Sequence, residues 1–527
     1  MGIPSYYKKL CDRNPGLLSK NRKGSTPTHL WVDFNCMVYH CLRKPGARPY
    51  PGETARLEWE NHLIQDVCKY LKKVATLVGP TEQVYVGVDG VVPMAKMRQQ
   101  RLRRFKSHWT AAEEIRIGKS EASDAGRWDS NSITPGTAFM ERLAVGLKEI
   151  RTPDVKWIVS AADEPGEGEH KVMRGLRSCA SKKSHVIYGL DADLILLSLL
   201  QPIDELWLFR EAVECGEVQF TDGEEEYRYF SIHKLRETIC KGKDESYLLD
   251  YTMAMCFVGN DFLPHGMSLK LKDGGHDILL KMLDEVRYTV GPLISGNKWR
   301  PEAMGACLSW LAEREAAWVK SHCAGKLGQR FQPARGTSPK ELAVDEWNKM
   351  PLRAAEELAL VGGQWRNAEN KTEVVLLDTW QRVYNERWLG CVGWSDTVRV
   401  CEQYFVGLDW VLQYYTGADV NTEWCFPWFL PPLWSDLLRY SESVAELPSA
   451  PVDSGISILP QEQLALVMPL ASWGLIRDPA LRKLPQLLPQ LWPKEFTLFT
   501  AGHKQTWECE AQIPLFMPQR LRYMLAA

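Results

Sequence analysis

Residues 83–106 read QVYVGVDGVVPMAKMRQQRLRRFK. The first seven form an apolar, β-rich run that ends on an acid, Asp89. The chain then passes Gly90 and Pro93 and takes up six cations: Lys96, Arg98, Arg101, Arg103, Arg104 and Lys106. The strand-like half of this pattern recurs in HLWVDF (29–34), VKWIVSA (155–161), SHVIYGL (184–190) and LWLFR (206–210). Between the first two strands, Leu57, Leu63, Ile64, Val67, Leu71, Val74 and Val78 have helical spacing. Near-continuous apolar strands separated by helices predict a mainly parallel sheet covered on both faces, a doubly wound α/β core. In such sheets ligands bind at the carboxyl ends of the strands. Asp33, Asp89, Asp191 and Asp193 all fall at or just beyond those ends.

The chain has 527 residues, enough for two to four domains or one large elaborated one. Hydrophobic residues make up 45% and charged residues 25%, ordinary for a globular protein. No apolar run approaches the ~18 residues of a membrane span. Lys8, Lys9 and Asp12 interrupt any signal-peptide core, and Tyr6 stands where myristoylation needs Ser or Thr. Fourteen cysteines without a C-x-x-C pair predict reduced thiols, neither a disulfide framework nor a zinc site. A net charge of −2 means that nucleic acid, if bound, is held by a local basic channel. Of 21 tryptophans, six precede residue 261 and fifteen follow, which predicts a large second packed region. Exposed ones among them could stack on bases.

Three further stretches carry acids: DEPGEGEHK with Glu167 and Glu169, GLDADLILL with Asp191 and Asp193, and FVGNDFLPH with Asp261. With Asp33 and Asp89 they make seven carboxylates beside apolar runs. A single acid of this kind is best read as a solvated surface group. Seven at the ends of buried strands are costly to desolvate and repel one another. Divalent cations relieve both problems, and hard oxygen ligands favour Mg²⁺ or Mn²⁺. Two such ions about 3.5–4 Å apart serve in-line displacement at phosphorus. The glycines of DEPGEGEH lack the phosphate-loop pattern and are expected to allow a tight turn into the helix bearing Glu167 and Glu169. His170 is expected to be a structural hydrogen-bonding partner in preference to a general acid or base.

On a helix, Lys96, Gln100, Arg103 and Arg104 fall at i, i+4, i+7 and i+8 and share one face. Alone, such a run is best read as a solvated face. Placed just past Asp89, it borders the proposed metals and suits a phosphate. Arg98 and Arg101 point elsewhere and are expected to be structural.

These motifs resemble the XRN family of 5′→3′ exoribonucleases. The matching segments, in order, are MGIPSYYKKL, VDGVVPMAKMRQQRLRRF, PGEGEHK, GLDADLILLSL and GNDFLPH, then YFVGLDWVLQYYTG, LPQEQLALVMP and TWECEAQIPLFMPQRLRYML. The resemblance implies a PIN/5′-nuclease-like core over 1–280 and a variable connecting region over 281–375. Over 376–527 it implies a largely helical second conserved region that packs on the core and completes the pocket. It implies that Asp33, Asp89, Glu167, Glu169, Asp191, Asp193 and Asp261 hold two Mg²⁺ or Mn²⁺ ions. It implies that Lys96, Gln100, Arg103 and Arg104 take the RNA 5′-monophosphate, and that Tyr39, Trp424 and Asn35, the last beside the first acid, stack on a base or support the site. The family usually has a stacking His six residues past the first Asp. Tyr39 stands there, with His40 one position late, and Cys36 replaces a frequent Gly.

The expected activity is processive hydrolysis of single-stranded RNA from a 5′-monophosphate end, in RNA decay. The expected form is a cytoplasmic monomer lacking the family's large C-terminal extension. KNRKG (20–24) is too thin for a nuclear signal. Two rivals are a structure-specific nuclease on DNA flaps and a catalytically inactive RNA-binding scaffold. Against the first stands the lack of a helical hairpin for gripping duplex DNA. Against the second stands the full set of acids. Residues 323–339, CAGKLGQRFQPARGTSP, read as an exposed linker, and the prolines of WCFPWFLPPLW (424–434) exclude a regular helix there.

Overall fold

The structure is a computed structural model that describes residues 6–120, 127–181, 183–189, 191–214, 217–361, 374–451 and 457–526. The start of the N-terminal motif (residues 1–5) and Leu190 lie outside the described residues.

One seven-stranded sheet organises the first half: β1 (Leu18–Ser19), β2 (His29–Asp33), β3 (Gln83–Gly87), β4 (Lys156–Ser160), β5 (Ser184–Tyr188), β6 (Glu205–Glu211) and β7 (Tyr227–Ser231). Their spatial order is β1-β7-β6-β5-β2-β3-β4. The five strands from β6 to β4 are parallel, and β7 and β1 are antiparallel additions at one edge. All five expected strands are present, each within two residues of its expected ends. The register places Asp33 opposite Gly87, and Gly87 opposite Ser160. The chain builds outward from β2 through β3 to β4, then returns to the other side of β2 for β5 and β6. The gap between β2 and β5 is therefore the switch point, where a crevice opens beyond the strand ends.

Every residue of β5 is buried, as expected of a central parallel strand. Successive residues of β2 serve opposite faces. Leu30 and Val32 join a core with the Arg56–Val78 and Ala138–Lys148 helices. Trp31 joins a second, larger core with the Gly168–Ser178 and Asp193–Leu199 helices. That second core runs on without a break through the Pro301–Arg330, Trp394–Thr416 and Trp434–Ser443 helices to Leu521. The tryptophan-rich region thus shares one hydrophobic interior with the sheet.

One expectation is corrected. Residues 323–330 are not linker but the last turns of the Pro301–Arg330 helix. Val319, Cys323 and Leu327 repeat at i, i+4 and i+8 and are buried. The glycines masked that stripe in the sequence, and the helix stops only before Pro333. Residues 331–338 are irregular and exposed, as expected. The WCFPWFLPPLW stretch is irregular up to Trp434, where a helix begins.

Candidate active site

The carboxyl ends of β2, β3 and β5 bring the acids together. Asp33 is the last residue of β2, and Asp89 stands two residues past β3. Asp191 follows β5, and Asp193 opens the Asp193–Leu199 helix. Glu167 caps the Gly168–Ser178 helix, and Glu169 lies in its first turn. Asp261 follows the Cys256–Val258 turn. Glu167, Glu169 and Asp193 are buried, whereas Asp33, Asp89 and Asp191 keep some access to solvent.

Two glycines make this convergence possible. A Cβ on Gly168 would lie 2.6 Å from the Gly87 carbonyl oxygen and 2.8 Å from Asp33 Oδ1. The helix can therefore press its first turn against the end of β3, and Gly168 N–H donates to Asp89 Oδ1 at 2.7 Å. Asn35 holds the other side of Asp89: its Nδ2 donates to Oδ2 at 2.8 Å, and its Oδ1 accepts the Asp89 amide at 3.2 Å. Lys171 donates to the Val88 and Ala161 carbonyls, both at 2.8 Å, and so ties together the chain just beyond β3 and β4. Burial pushes its ammonium down to about 8. Gly168→Ala should force the helix off the strand, costing about 1–3 kcal/mol. A denaturation midpoint equal to that of the parent protein would refute this role for Gly168.

The seven acids form one electrostatic network. Burial, then repulsion from Asp89 and Asp191, pushes the Asp33 carboxyl well above its ordinary range. Burial followed by Glu167 does the same for Glu169, and burial followed by Asp261 and Asp191 does so for Asp193. Lys96 is the internal counter-ion. Its Nζ lies 2.7 Å from both Glu167 Oε2 and Asp261 Oδ2. Burial opposes its charge, but Asp261 and Glu167 outweigh burial and hold the ammonium well above its usual value. Burial likewise raises Glu167 despite Lys96, whereas at Asp261 Lys96 overcomes burial and lowers the carboxyl. One ammonium cannot neutralise seven carboxylates. Asp193 Oδ1 is buried with no hydrogen-bond partner among the described residues. Ligand atoms of Glu167, Glu169 and His170 lie within 4.8 Å of one another. An oxygen-rich, under-compensated cluster of this kind fits hard divalent cations.

The basic helix, Met94–Arg116, crosses this cluster and then runs beneath the second region. Arg98 donates to the Pro427 and Trp428 carbonyls at 3.3 and 3.0 Å. Arg101 donates to Leu466 O at 2.9 Å and to Leu491 O. Lys106 donates to Trp507 O at 3.0 Å and Cys509 O at 2.5 Å. These three cations satisfy main-chain carbonyls and act as fasteners. On the other face, Gln100 is buried with Oε1 unmatched among the described residues, Arg104 donates to Thr134 at 2.9 Å, and Arg103 is exposed. Tyr39 lies beside Arg104, close enough to act on its charge, and Arg43 sits over the Tyr39 ring at 5.5 Å. His40 faces away, bonded to Glu225 at 2.9 Å and stacked on Tyr70.

Sequence reasoning missed an aromatic wall. Tyr414 donates to Glu167 Oε1 at 2.7 Å and stacks on His170 with ring centroids 3.6 Å apart. Phe262 meets the Tyr414 ring edge-on at 5.3 Å, and Trp410 stacks on Tyr414 at 4.7 Å. The W-x-x-x-Y spacing of 410–414 reads in sequence only as core. Burial holds His170 neutral, which suits a packing role over a proton carrier. Trp424 is only 8% exposed, packs on Trp410 at 5.5 Å and donates to Gln403 at 3.2 Å. Of the two roles expected for it, burial favours support over stacking on a base.

A second cluster, His29, Cys179 and His185, brings ligand atoms within 4.8 Å at the opposite, amino end of the sheet. There Trp31 Nε1 donates to His185 Nδ1 at 3.0 Å. This places the ring proton of a neutral His185 on Nε2, which withdraws that nitrogen as a ligand.

Two family models match the chain. One is described as XRN 5′-3′ exonuclease N-terminus and spans residues 1–212; the other, Xrn1 helical domain, spans residues 345–527. Human 5′-3′ exoribonuclease 1 is 28% identical over 99% of this chain and 34% of its own length. Chicken (Gallus gallus) 5′-3′ exoribonuclease 2 is 25% identical over 100% of this chain and 70% of its own length. The 5′-3′ exoribonuclease 1 of Schizosaccharomyces pombe is 25% identical over 100% of this chain and 48% of its own length. The chain thus spans about a third of the human relative and about half of the fission-yeast one.

Proposed function

The chain belongs to the XRN family of 5′-3′ exonucleases, and from that premise we propose that it hydrolyses single-stranded RNA processively from a 5′-monophosphate end, in RNA decay. The observation that carries this reading is the network of seven carboxylates around one half-buried lysine at the switch point of the sheet. Asp33, Asp89, Glu167, Glu169, Asp191, Asp193 and Asp261 would hold two Mg²⁺ or Mn²⁺ ions. Such ions supply a water of lowered pKa and neutralise charge on the leaving 3′ oxygen.

The chain's own residues orient and select. Asn35 and the Gly168 amide fix the Asp89 carboxylate at both of its oxygens. Tyr414 fixes one oxygen of Glu167, leaving the other to Lys96. Lys96, Gln100, Arg103 and Arg104 would receive the terminal phosphate, with Arg103 the residue already open to solvent. A cap or triphosphate would be too large for this pocket. Tyr39, beside Arg104, is the candidate to stack on the first base without reading its identity. Residues 1–280 would form the nuclease core, 281–375 the connection, and 376–527 the part that completes the pocket. The reach of Tyr414 to Glu167 supports that division. We take the working unit to be a monomer acting in the cytoplasm.

The test is a gel with end-labelled 5′-phosphate RNA, 5′-hydroxyl RNA and flap DNA, each in Mg²⁺ or EDTA. Decay of the 5′-phosphate RNA alone, and only with metal, is expected. Preferential cleavage of the flap, or no cleavage at all, would overturn the proposal. Arg103→Ala should reduce the phosphate-to-hydroxyl rate ratio by about tenfold, the worth of one charge-assisted contact. An unchanged ratio would show the phosphate pocket to be misplaced.

A further inference from the structure

The Pro301–Arg330 helix and the segments around residues 270 and 504 line a partly open cavity of about 490 Å³. Lys270, Lys272, Lys326 and Lys504 line it. Met267, Ile278 and Trp318 add an apolar wall. Lys326 is only 5% exposed, and its Nζ is buried with no hydrogen-bond partner among the described residues. Lys270 donates to the Gly502 carbonyl, and Lys272 pairs with Glu508 at 3.0 Å.

An ammonium withdrawn from water without a partner is among the most costly arrangements in a folded protein. Here the cost is compounded by like charge. Burial followed by Lys270 pushes the Lys326 ammonium down to about 7, and burial followed by Lys272 pushes Lys270 down to about 8. Among the described residues no acid pairs with either group. Glu508 is taken up by Lys272 and by the Lys504 and Gln505 amides, and Asp273 stands at the exposed rim. With every group charged, four lysines against these two acids would leave a surplus of two positive charges, and that crowding contributes to drawing Lys326 and Lys270 down. An anion of charge −2 seated among the lysines would balance that surplus and give Lys326 the partner it lacks.

We propose that this cavity is a second anion site, one that takes a phosphate dianion. The ligand is inorganic phosphate or the phosphate of a small monoester, in which case the Met267–Ile278–Trp318 wall takes the organic part. None of its four lysines belongs to the proposed 5′-phosphate set, and the site does not depend on the proposed reaction.

The experiment is isothermal calorimetry of the full chain carrying Arg103→Ala, which weakens the proposed 5′-phosphate pocket, with and without Lys326→Met. The titrants are inorganic phosphate and adenosine 5′-monophosphate. Phosphate should bind the Arg103→Ala protein, and adding Lys326→Met should weaken binding by at least about tenfold, the loss of one charge-assisted contact. Tighter binding of the nucleotide than of phosphate, weakened in the same way by Lys326→Met, would support the site and identify a monoester as its ligand; nucleotide binding indifferent to Lys326→Met would overturn a monoester as its ligand. Equal or weaker binding of the nucleotide would support the site and identify inorganic phosphate. Absence of phosphate binding, or binding indifferent to Lys326→Met, would overturn the proposal. If Lys326→Met does not fold, Lys270→Gln, at a half-buried position, must weaken binding in its place, and its failure to do so would be equally decisive.

Discussion

Asp193→Ala should abolish cleavage while making the metal-free protein more stable. Asp193 is buried at the start of its helix, facing the charges of Asp261 and Asp191, with Oδ1 unpartnered. If it holds a catalytic ion, its loss should slow RNA decay by about 10³-fold or more, roughly 4 kcal/mol of transition-state stabilisation. RNA binding should survive, because the basic helix is untouched. In EDTA the same substitution removes one of seven mutually repelling carboxylates and should add about 1 kcal/mol of stability. Mg²⁺ should then raise the thermal midpoint of the parent protein more than that of the variant, since only a ligand bound to the folded state stabilises it. Cleavage within tenfold of the parent would remove Asp193 from the site. An unchanged midpoint in EDTA would deny the repulsion inferred from the geometry.

Arg101→Leu should be the most damaging single change outside the site. Arg101 is 1% exposed, and its guanidinium bonds two main-chain carbonyls, Leu466 and Leu491, that are far away in sequence. It also lies over the Phe105 ring at 4.6 Å and the Trp492 ring at 5.7 Å. Among the described residues no carboxylate is bonded to it, and burial pushes it down to about 9. Leucine fills part of the volume but leaves two carbonyls unsatisfied, for a total cost of about 3 kcal/mol. Because the residue joins the basic helix to the second region, the loss should show as a lower urea midpoint of the whole chain. A loss below about 1 kcal/mol would mean that the cation is not a fastener.

Those two residues mark the boundary between what could and could not be read ahead of the structure. Asp193 was legible, because a D-x-D pair just after an apolar strand places acids at a sheet edge by backbone geometry alone. Asp33, Asp89 and Asp191 were legible for the same local reason, whereas Glu167 and Glu169 stand at a helix start and Asp261 after a helical turn, where no strand pattern places them. Arg101 was only half legible. Helical spacing excluded it from the face shared by Lys96, Gln100, Arg103 and Arg104, but nothing local names Leu466 and Leu491 as its partners. Tyr414 was not legible at all: its bond to Glu167 spans 247 residues. The 323–330 helix was misread because Gly325 and Gly328 weakened a propensity signal that burial of Cys323 and Leu327 overrides.

The sequence by itself determined the strands, the acids just beyond them, and which residues of the basic helix share a face, because period-two and period-3.6 patterns are properties of the local backbone. Only the tertiary structure decided how the cations divide their work. Lys96 balances the acids, Arg98, Arg101 and Lys106 hold the second region, and Arg103 remains exposed. That division depends on which distant carbonyls and carboxylates come within bonding distance. Such contacts are fixed by packing the second region against the sheet, and no local pattern encodes them.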